Sequence, residues 1–411
     1  MAETRPHVVV VGAGHAGGAV VAMLRQFGWQ GAISLIGEEA LPPYERPPLS
    51  KAWLKGEVDD SKLLLRPAQF YADNDIALHL STRVAAIDRA PRRVRLDDGA
   101  ALSYDHLILA FGSRARHLPL PGIDLAGVLE LRTVVDADRL KAALGPGRRI
   151  AIIGGGYIGL EVAASARALG AEAIVLERED RLLARVACPI LSDFFLDYHG
   201  ARGVAFELGC RIEALVGDTA GSVNAVRLSD GRMIGCDVVL VGVGAVANDA
   251  LARDAGLQCD NGIIVDLAAR TNDPAVFAIG DCTRRPLPLY DRTFRLESVP
   301  NALEQAAQAA AAICQKPPPA PEVPWFWSDQ YDRHLQIAGL PFDAAQTVLR
   351  GDPATGSFAV FHLAADDRLL AVEAVNAPQE YLGGKRMVAR RQCLRPERIR
   401  DVSLTVRDLP G

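Results

Sequence analysis

The sequence has no CxxC pair, and no two of its seven cysteines (Cys188, Cys210, Cys236, Cys259, Cys282, Cys314 and Cys393) lie closer than 22 residues. That spacing excludes the local signatures of zinc ribbons, iron–sulfur ligation and thioredoxin-type dithiols, so no metal-ligating motif is expected. An odd number of scattered thiols fits a reducing compartment and predicts a cytoplasmic protein. No charge of one sign dominates: Lys and Arg number 45, Asp and Glu 50, for a net charge of −5. A mildly acidic chain is a poor nucleic-acid binder, and no nucleic-acid partner is expected. No stretch offers the roughly 20 apolar residues that a membrane-spanning helix needs. Val8 to Leu24 is apolar apart from His15, but glycines at 12, 14, 17 and 18 interrupt it and no clear small-residue cleavage site follows. Neither a targeting segment nor a membrane partner is expected.

What is present is a chain of 411 residues, 49% hydrophobic and 23% charged, with 37 glycines. That length suggests two or three globular domains. The run His7-Val8-Val9-Val10-Val11 is β-branched and continuous, as in a parallel strand buried on both faces. Gly12-Ala13-Gly14-His15-Ala16-Gly17 follows it, then a helix predicted over Ala19 to Phe27 and a short strand, Ile33 to Ile36, ending at Gly37-Glu38. The pattern returns with the strand Ile150 to Ile153 and the turn Gly154-Gly155-Gly156-Tyr157-Ile158-Gly159. A helix over Leu160 to Leu169 and a strand over Ala173 to Leu176 complete it, ending at Glu177. The two βαβ units predict two nucleotide-binding domains.

In each turn the first glycine permits the tight bend, the second lets the backbone approach a pyrophosphate, and the third lets helix pack on strand. The helix N-terminus then faces the phosphates. Glu38 follows Gly17 by 21 residues and Glu177 follows Gly159 by 18, each placed to accept hydrogen bonds from an adenosine ribose. Two such sites in one chain suggest a bound flavin and an exchangeable nicotinamide. Gly280-Asp281, after a buried strand, is a third flavin signal. Asn301 to Cys314 reads as an Ala-rich helix, and Pro317-Pro318-Pro319 with Pro321 and Pro324 as a stiff linker into a last unit beginning at Trp325.

The motifs Val10-Val11-Gly12-Ala13-Gly14, Arg46-Pro47-Pro48-Leu49-Ser50-Lys51 and Gly154-Gly155-Gly156-Tyr157-Ile158-Gly159-Leu160-Glu161 occur in order along the chain. Ala278-Ile279-Gly280-Asp281-Cys282, Glu297-Ser298-Val299-Pro300-Asn301-Ala302 and Pro324-Trp325-Phe326-Trp327-Ser328-Asp329-Gln330 follow them. On these residues the chain resembles the FAD-dependent, NADH-using ferredoxin reductases of bacterial oxygenase systems, the putidaredoxin reductase and biphenyl dioxygenase reductase type. The resemblance implies an α/β, glutathione-reductase-like fold of two Rossmann-like dinucleotide-binding domains plus a C-terminal α+β domain. The expected division is FAD domain 1–115 and 244–320, NADH domain 116–243 and capping domain 321–411. It implies non-covalent FAD held by Gly12, Gly14, His15, Ala16 and Glu38 at the adenosine end and by Lys51, Val84, Arg132, Asp281 and Val299 along the rest. NADH falls to Gly154, Gly156, Tyr157, Ile158, Glu161 and Glu177. Catalytic roles fall to Lys51, Glu161 and Trp327, Glu161 pairing with Lys51 and the nicotinamide amide. Ala110-Phe111-Gly112 departs from the family's usual Ala-Thr-Gly, and the tail after about Arg390 matches poorly.

The activity implied is NADH:ferredoxin oxidoreduction, from NADH through FAD to a [2Fe–2S] ferredoxin serving a cytochrome P450 or Rieske oxygenase. A disulfide reductase would need CxxC or CxxxxC, and a peroxidase of the related class a Cys near Pro48 to Lys51; the sequence has neither. Alternatives on the same fold are a rubredoxin reductase, an NADH oxidase or an apoptosis-inducing-factor-like flavoprotein. Lys385 to Arg400 holds seven basic residues against Glu397, a charge of +6 that leaves −11 elsewhere. By itself such a run is a solvated face. With an acidic ferredoxin as partner, it becomes a docking candidate together with Trp327 and Arg66.

Overall fold

The computed structural model describes residues 5–410. The chain divides into two compact units, one from Met1–Glu45, Asp60–Arg114 and Val246–Phe326, the other from Arg46–Asp59, Ala115–Ala245 and Trp327–Gly411.

The first unit is built on a parallel sheet in the order Val276–Ala278, His106–Leu109, His7–Val11, Ala32–Ile36, Ile76–His79. The central strand is buried on both faces, as its β-branched run requires. Val8 and Val10 pack with Val20, Val21, Leu24 and the alanines of the helix Val299–Ile313, while Val9 and Val11 pack with Ile36, Leu107 and Leu109 on the other side. The helix His15–Gln26 begins four residues earlier than its apolar run suggests. Gly17 and Gly18 are poor helix formers, but they are required here. A β-carbon on Gly17 would stand 1.9 Å from the Gly12 carbonyl oxygen, and one on Gly18 would stand 2.6 Å from Pro43 Cβ. Close packing overrides propensity. The Ala-rich helix likewise starts earlier than expected, at Val299, with the Ser298 hydroxyl accepting the Asn301 N–H.

The second unit repeats the plan. Its parallel sheet runs Val204–Glu207, Glu172–Leu176, Arg149–Ile153, Val238–Val241, Val128–Leu129. An antiparallel sheet follows in the order Trp325–Gln330, Arg333–Gly339, Leu369–Val375, Ser357–Leu363, Gln346–Asp352, with the helix Pro378–Ala389 after it. The strand Gln346–Asp352 has no clean hydrophobic signature and was not legible in advance; every residue of Leu369–Val375 is buried. Gly384 lets the helix lie on that strand, since a β-carbon there would come within 2.5 Å of Val372 Cγ1. One core cluster joins Ile150, Ile152, Leu191 and Phe195 to Leu335, Phe358, Val360 and Val375.

His199, near the end of the helix Pro189–Gly200, is fully buried. Its Nε2 lies 2.8 Å from Gln330 Oε1, its Nδ1 has no hydrogen-bond partner, and burial lowers its pKa from 6.5 to about 4. The unfolded chain therefore takes up this proton more readily than the folded one. The contribution is complete above about pH 6.5 and is lost as the pH falls through that value toward 4, by about 3 kcal/mol. His199→Gln, which cannot protonate, should flatten the fall in urea midpoint between about pH 7 and pH 4.5. Parallel pH profiles for wild type and variant would assign the acid sensitivity to other groups.

Candidate active site

The first glycine turn bends at Gly12, where φ is +112° and a β-carbon would meet the Ala110 carbonyl oxygen at 2.2 Å. Gly14 is the N-cap of the helix that His15 and Ala16 open; no side chain caps it, and a β-carbon there would find nothing within 4 Å. The result is a bare helix N-terminus beneath open space, the cradle a pyrophosphate needs. Gly280, at φ +80°, brings the Gly280-Asp281 turn within reach of Ala16, its would-be β-carbon 3.2 Å from Ala16 Cβ. Gln305 fastens this turn by accepting the Gly280 N–H at 2.8 Å and the Thr283 hydroxyl at 2.9 Å. Asp281 accepts the Ser113 hydroxyl at 3.0 Å. Glu38 stays exposed at its strand end, 3.1 Å from Arg83 Nε, and Val84 is buried at the start of its strand. Val299 opens the Ala-rich helix. Phe111 offers its carbonyl oxygen to Asn248 at 3.0 Å.

The second turn reproduces the first. Gly154 has φ +110°, its would-be β-carbon lies 2.4 Å from the Gly242 carbonyl oxygen, and that of Gly159 lies 2.2 Å from the Gly154 carbonyl oxygen. Gly156, again an uncapped N-cap, has nothing within 4 Å. Ile158 is 46% exposed although apolar, and the Tyr157 hydroxyl donates to the Val186 carbonyl at 3.1 Å. Glu177 is held by backbone: Oε2 accepts the Gly155 N–H at 2.6 Å and Oε1 the Glu179 N–H at 2.9 Å. Arg178 is exposed and turned to Glu179 at 2.6 Å.

The third constellation gathers three separate segments of the second unit. Glu161 is 3% exposed. Its Oε2 accepts the Ser50 hydroxyl at 2.5 Å and Lys51 Nζ at 2.9 Å, and its Oε1 accepts the Ser328 hydroxyl at 2.7 Å. The Lys51 side chain is 18% exposed, so the ammonium end of the pair is the end that meets solvent. Ser165 adds a bond from its hydroxyl to the Ser50 carbonyl at 2.7 Å. The donors continue outward in one direction. Gln330 Nε2 donates to Ser328 Oγ at 3.2 Å, and Gln330 Oε1 receives the His199 Nε2–H at 2.8 Å. Removing one partner of a buried pair of this kind costs about 3–5 kcal/mol. Trp327, half-buried, directly precedes Ser328 in the strand Trp325–Gln330. Arg132 offers its carbonyl to Arg46 and its N–H to Asp136 Oδ2 at 3.2 Å.

Lys51 and Glu161 are thus brought together as expected. Ser50, Ser165, Ser328, Gln330 and Gln305 were missed. Only the alternation of Ser328 and Gln330 in a strand signalled two polar side chains on one buried face.

Residues 6–306 match the family model of pyridine nucleotide-disulphide oxidoreductases. The chain belongs to that family. Residues 325–410 match the reductase C-terminal domain, so the poorly matching tail after about Arg390 falls within a family domain. This oxidoreductase is 54% identical over 400 residues to the probable ferredoxin reductase CtmF of Castellaniella defragrans, covering 97% of each chain. It superposes on the putidaredoxin reductase chain of the covalent putidaredoxin reductase–putidaredoxin complex with a TM-score of 0.96, at 41% identity and 98% coverage of each. It superposes on the ferredoxin reductase for the CYP199A2 system of Rhodopseudomonas palustris with a TM-score of 0.94, at 40% identity, covering 98% of this chain and 100% of that one. The fold class expected from the sequence is the one found. No helix among the described residues is long and apolar enough to cross a membrane.

The two kinds of glycine in the second turn separate by mutation. Gly154→Ala forces a β-carbon into the Gly242 carbonyl at a positive φ, and should lower the thermal midpoint and the yield of folded protein. Gly156→Ala meets no protein atom, and should leave the midpoint unchanged while weakening dinucleotide binding about tenfold or more, since its methyl fills the phosphate cradle. Unchanged affinity in a folded Gly156→Ala protein would remove the phosphate from this turn.

Proposed function

We propose that NADH is the electron donor and a small acidic [2Fe–2S] ferredoxin of an oxygenase system the acceptor, with FAD bound non-covalently between them in the reaction. The enzyme is a ferredoxin reductase. The observation that carries the reading is the pair of like-built phosphate turns in one chain, one for each dinucleotide, together with the lack of any CxxC or CxxxxC thiol relay. FAD, when bound, exchanges two electrons with a nicotinamide and one at a time with an iron–sulfur protein.

The residues present fit that cofactor pair. Gly12, Gly14, His15 and Ala16 form the turn we assign to the FAD pyrophosphate, with Glu38, Lys51, Val84, Arg132, Asp281 and Val299 along the rest of the cofactor. Gly154, Gly156, Tyr157, Ile158 and Glu177 take the NADH side. Lys51 is the cation we place at the flavin. Glu161 fixes it and, through an oxygen locked by Ser328, orients the nicotinamide amide; Trp327 faces the acceptor. We divide the chain into FAD segments 1–115 and 244–320, NADH segment 116–243 and capping segment 321–411; that each parallel sheet carries one glycine turn supports this division. Seven unpaired cysteines support a cytoplasmic location.

Glu177 argues for NADH. Its carboxylate is fixed by two backbone N–H groups, ready to accept ribose hydroxyls and to repel a 2′-phosphate. Arg178 is occupied by Glu179 and is not poised as a phosphate ligand. NADH should exceed NADPH by roughly a hundredfold in kcat/KM, the scale of two charge-assisted hydrogen bonds. Glu177→Ala should narrow that ratio. Equal kcat/KM for the two donors in the wild type would refute the assignment.

In the basic segment, Lys385 and Arg386 lie in the helix Pro378–Ala389. Arg386, Arg390, Arg391, Arg395 and Arg400 are exposed, and Arg398 turns to the carbonyls of Asp408 and Leu409. If this face steers an acidic ferredoxin, Arg386→Glu with Arg390→Glu should slow ferredoxin reduction most at low ionic strength. The effect should fade as the Debye length shrinks from about 10 Å at 0.1 M to about 3 Å at 1 M salt. Ferricyanide reduction, which needs no protein docking, should hold steady. Unchanged ferredoxin rates at low salt would reduce the segment to a solvated face; a rubredoxin outpacing every ferredoxin would change the acceptor.

A further inference from the structure

Outside the Glu161 network, a second buried cluster stands in the second unit. Cys188 caps the helix Pro189–Gly200, His362 lies in the strand Ser357–Leu363, and Glu373 lies in the adjacent strand Leu369–Val375. They are 7%, 3% and 1% exposed. Sγ, a ring nitrogen and a carboxylate oxygen all lie within 4.8 Å of one another. His362 Nε2 sits 3.4 Å from Glu373 Oε2 yet makes no hydrogen bond, an orphaned nitrogen in a nearly dry place. Its other nitrogen, Nδ1, faces Thr347 Oγ1 at 3.5 Å, which leaves Nε2 directed into the cluster. Both oxygens of Glu373 also lie 3.2 Å from the Cys188 N–H, so the carboxylate is already aimed at the residue that carries the thiol.

We infer that Cys188, His362 and Glu373 bind one divalent cation of the Zn²⁺ class, which clamps the loop before the helix Pro189–Gly200 to the C-terminal sheet. The donor set is one sulfur, one nitrogen and one oxygen, the mixture a borderline-soft cation takes. Charge balances: a thiolate and a carboxylate supply −2 against +2, and the imidazole stays neutral, so the loaded site buries no net charge. On binding, the Cys188 S–H bond breaks, a sulfur–metal bond forms and the proton leaves to solvent. Tetrahedral ligation places donor atoms roughly 3.5 Å apart, inside the 4.8 Å that bounds these three, with a water or hydroxide completing the fourth position.

The site adjoins the second glycine turn. Tyr157, which opens the helix after Gly156, feels Glu373 and Cys188 electrostatically, and the Leu183 N–H bonds the Gly155 carbonyl at 2.9 Å. A filled site would brace the loop on which that turn rests. The inference concerns this chain's own donors and stands whichever dinucleotide the turn accepts.

The test is the FAD-bound protein, chelator-stripped and titrated with Co²⁺, because tetrahedral thiolate-bound Co²⁺ shows intense d–d bands to the red of oxidised flavin. We expect about one Co²⁺ per chain, with bands bleached by Zn²⁺. The bands should disappear in Cys188→Ala and in His362→Gln, with flavin absorbance retained. Should Cys188→Ala fail to hold FAD, His362→Gln makes the assignment alone. Absence of the bands in wild type, or their persistence in a folded variant, would overturn the site and leave a buried thiol beside a His–Glu pair.

Discussion

A carboxylate buried as deeply as that of Glu161 must find its compensation inside the protein, and that requirement organises the second unit. Three donors reach it from places far apart in the chain: Ser50 and Lys51 from the Pro47–Ser50 turn and its end, Ser328 from the first strand of the C-terminal sheet. Water is a poor substitute for any of them, because the carboxylate is only 3% exposed. The helix that carries Glu161 is also the helix whose N-terminus forms the second glycine turn. The constraint that holds Lys51 therefore acts on the same helix that opens at the second glycine turn.

The glycine turns rest on a different physical fact, the exclusion of a β-carbon. In each turn two glycines are fixed by backbone oxygens barely 2 Å from where a side chain would begin, while the middle glycine faces empty space. The first kind is a packing necessity and the second is room for a ligand. That the same division occurs at Gly12, Gly14 and Gly17 and at Gly154, Gly156 and Gly159 is why the two turns point to two dinucleotides.

Much of this was legible in the amino-acid sequence because it is local. Continuous β-branched runs specify strands covered on both faces, and the spacing from Gly17 to Glu38 and from Gly159 to Glu177 follows from one helix and one strand. The helix His15–Gln26 was read as starting too late because Gly17 and Gly18 look like helix breakers; the Gly12 carbonyl and Pro43, which they pack against, explain why they are there. Ser50, Ser328, Gln330 and Gln305 were not legible, since a serine or glutamine acquires its role from a partner more than a hundred residues away, or, for Gln305, from a loop that folds back onto it. The same holds for Cys188, His362 and Glu373. His362 and Glu373 share a hairpin, but Cys188 lies more than 170 residues before them, and the spacing of cysteines says nothing of a set that holds only one. The strand Gln346–Asp352 escaped notice because its pattern mixes Arg350, which is buried and bonded to the carbonyls of Ile399 and Asp401, with exposed ends.

The continuous core in the second unit bears on how such enzymes diversify. Phe195 and Leu191 pack in one cluster with Phe358, Val360 and Leu335, so the C-terminal sheet buries the apolar face of the helix Pro189–Gly200. A module that completes its neighbour's interior cannot be exchanged like a bead on a string. Change in that module is therefore confined to the outer side of that sheet and its loops, while the inner side stays matched to its host. Grafting a foreign C-terminal domain onto this reductase would have to carry the matching surface of that helix along with it.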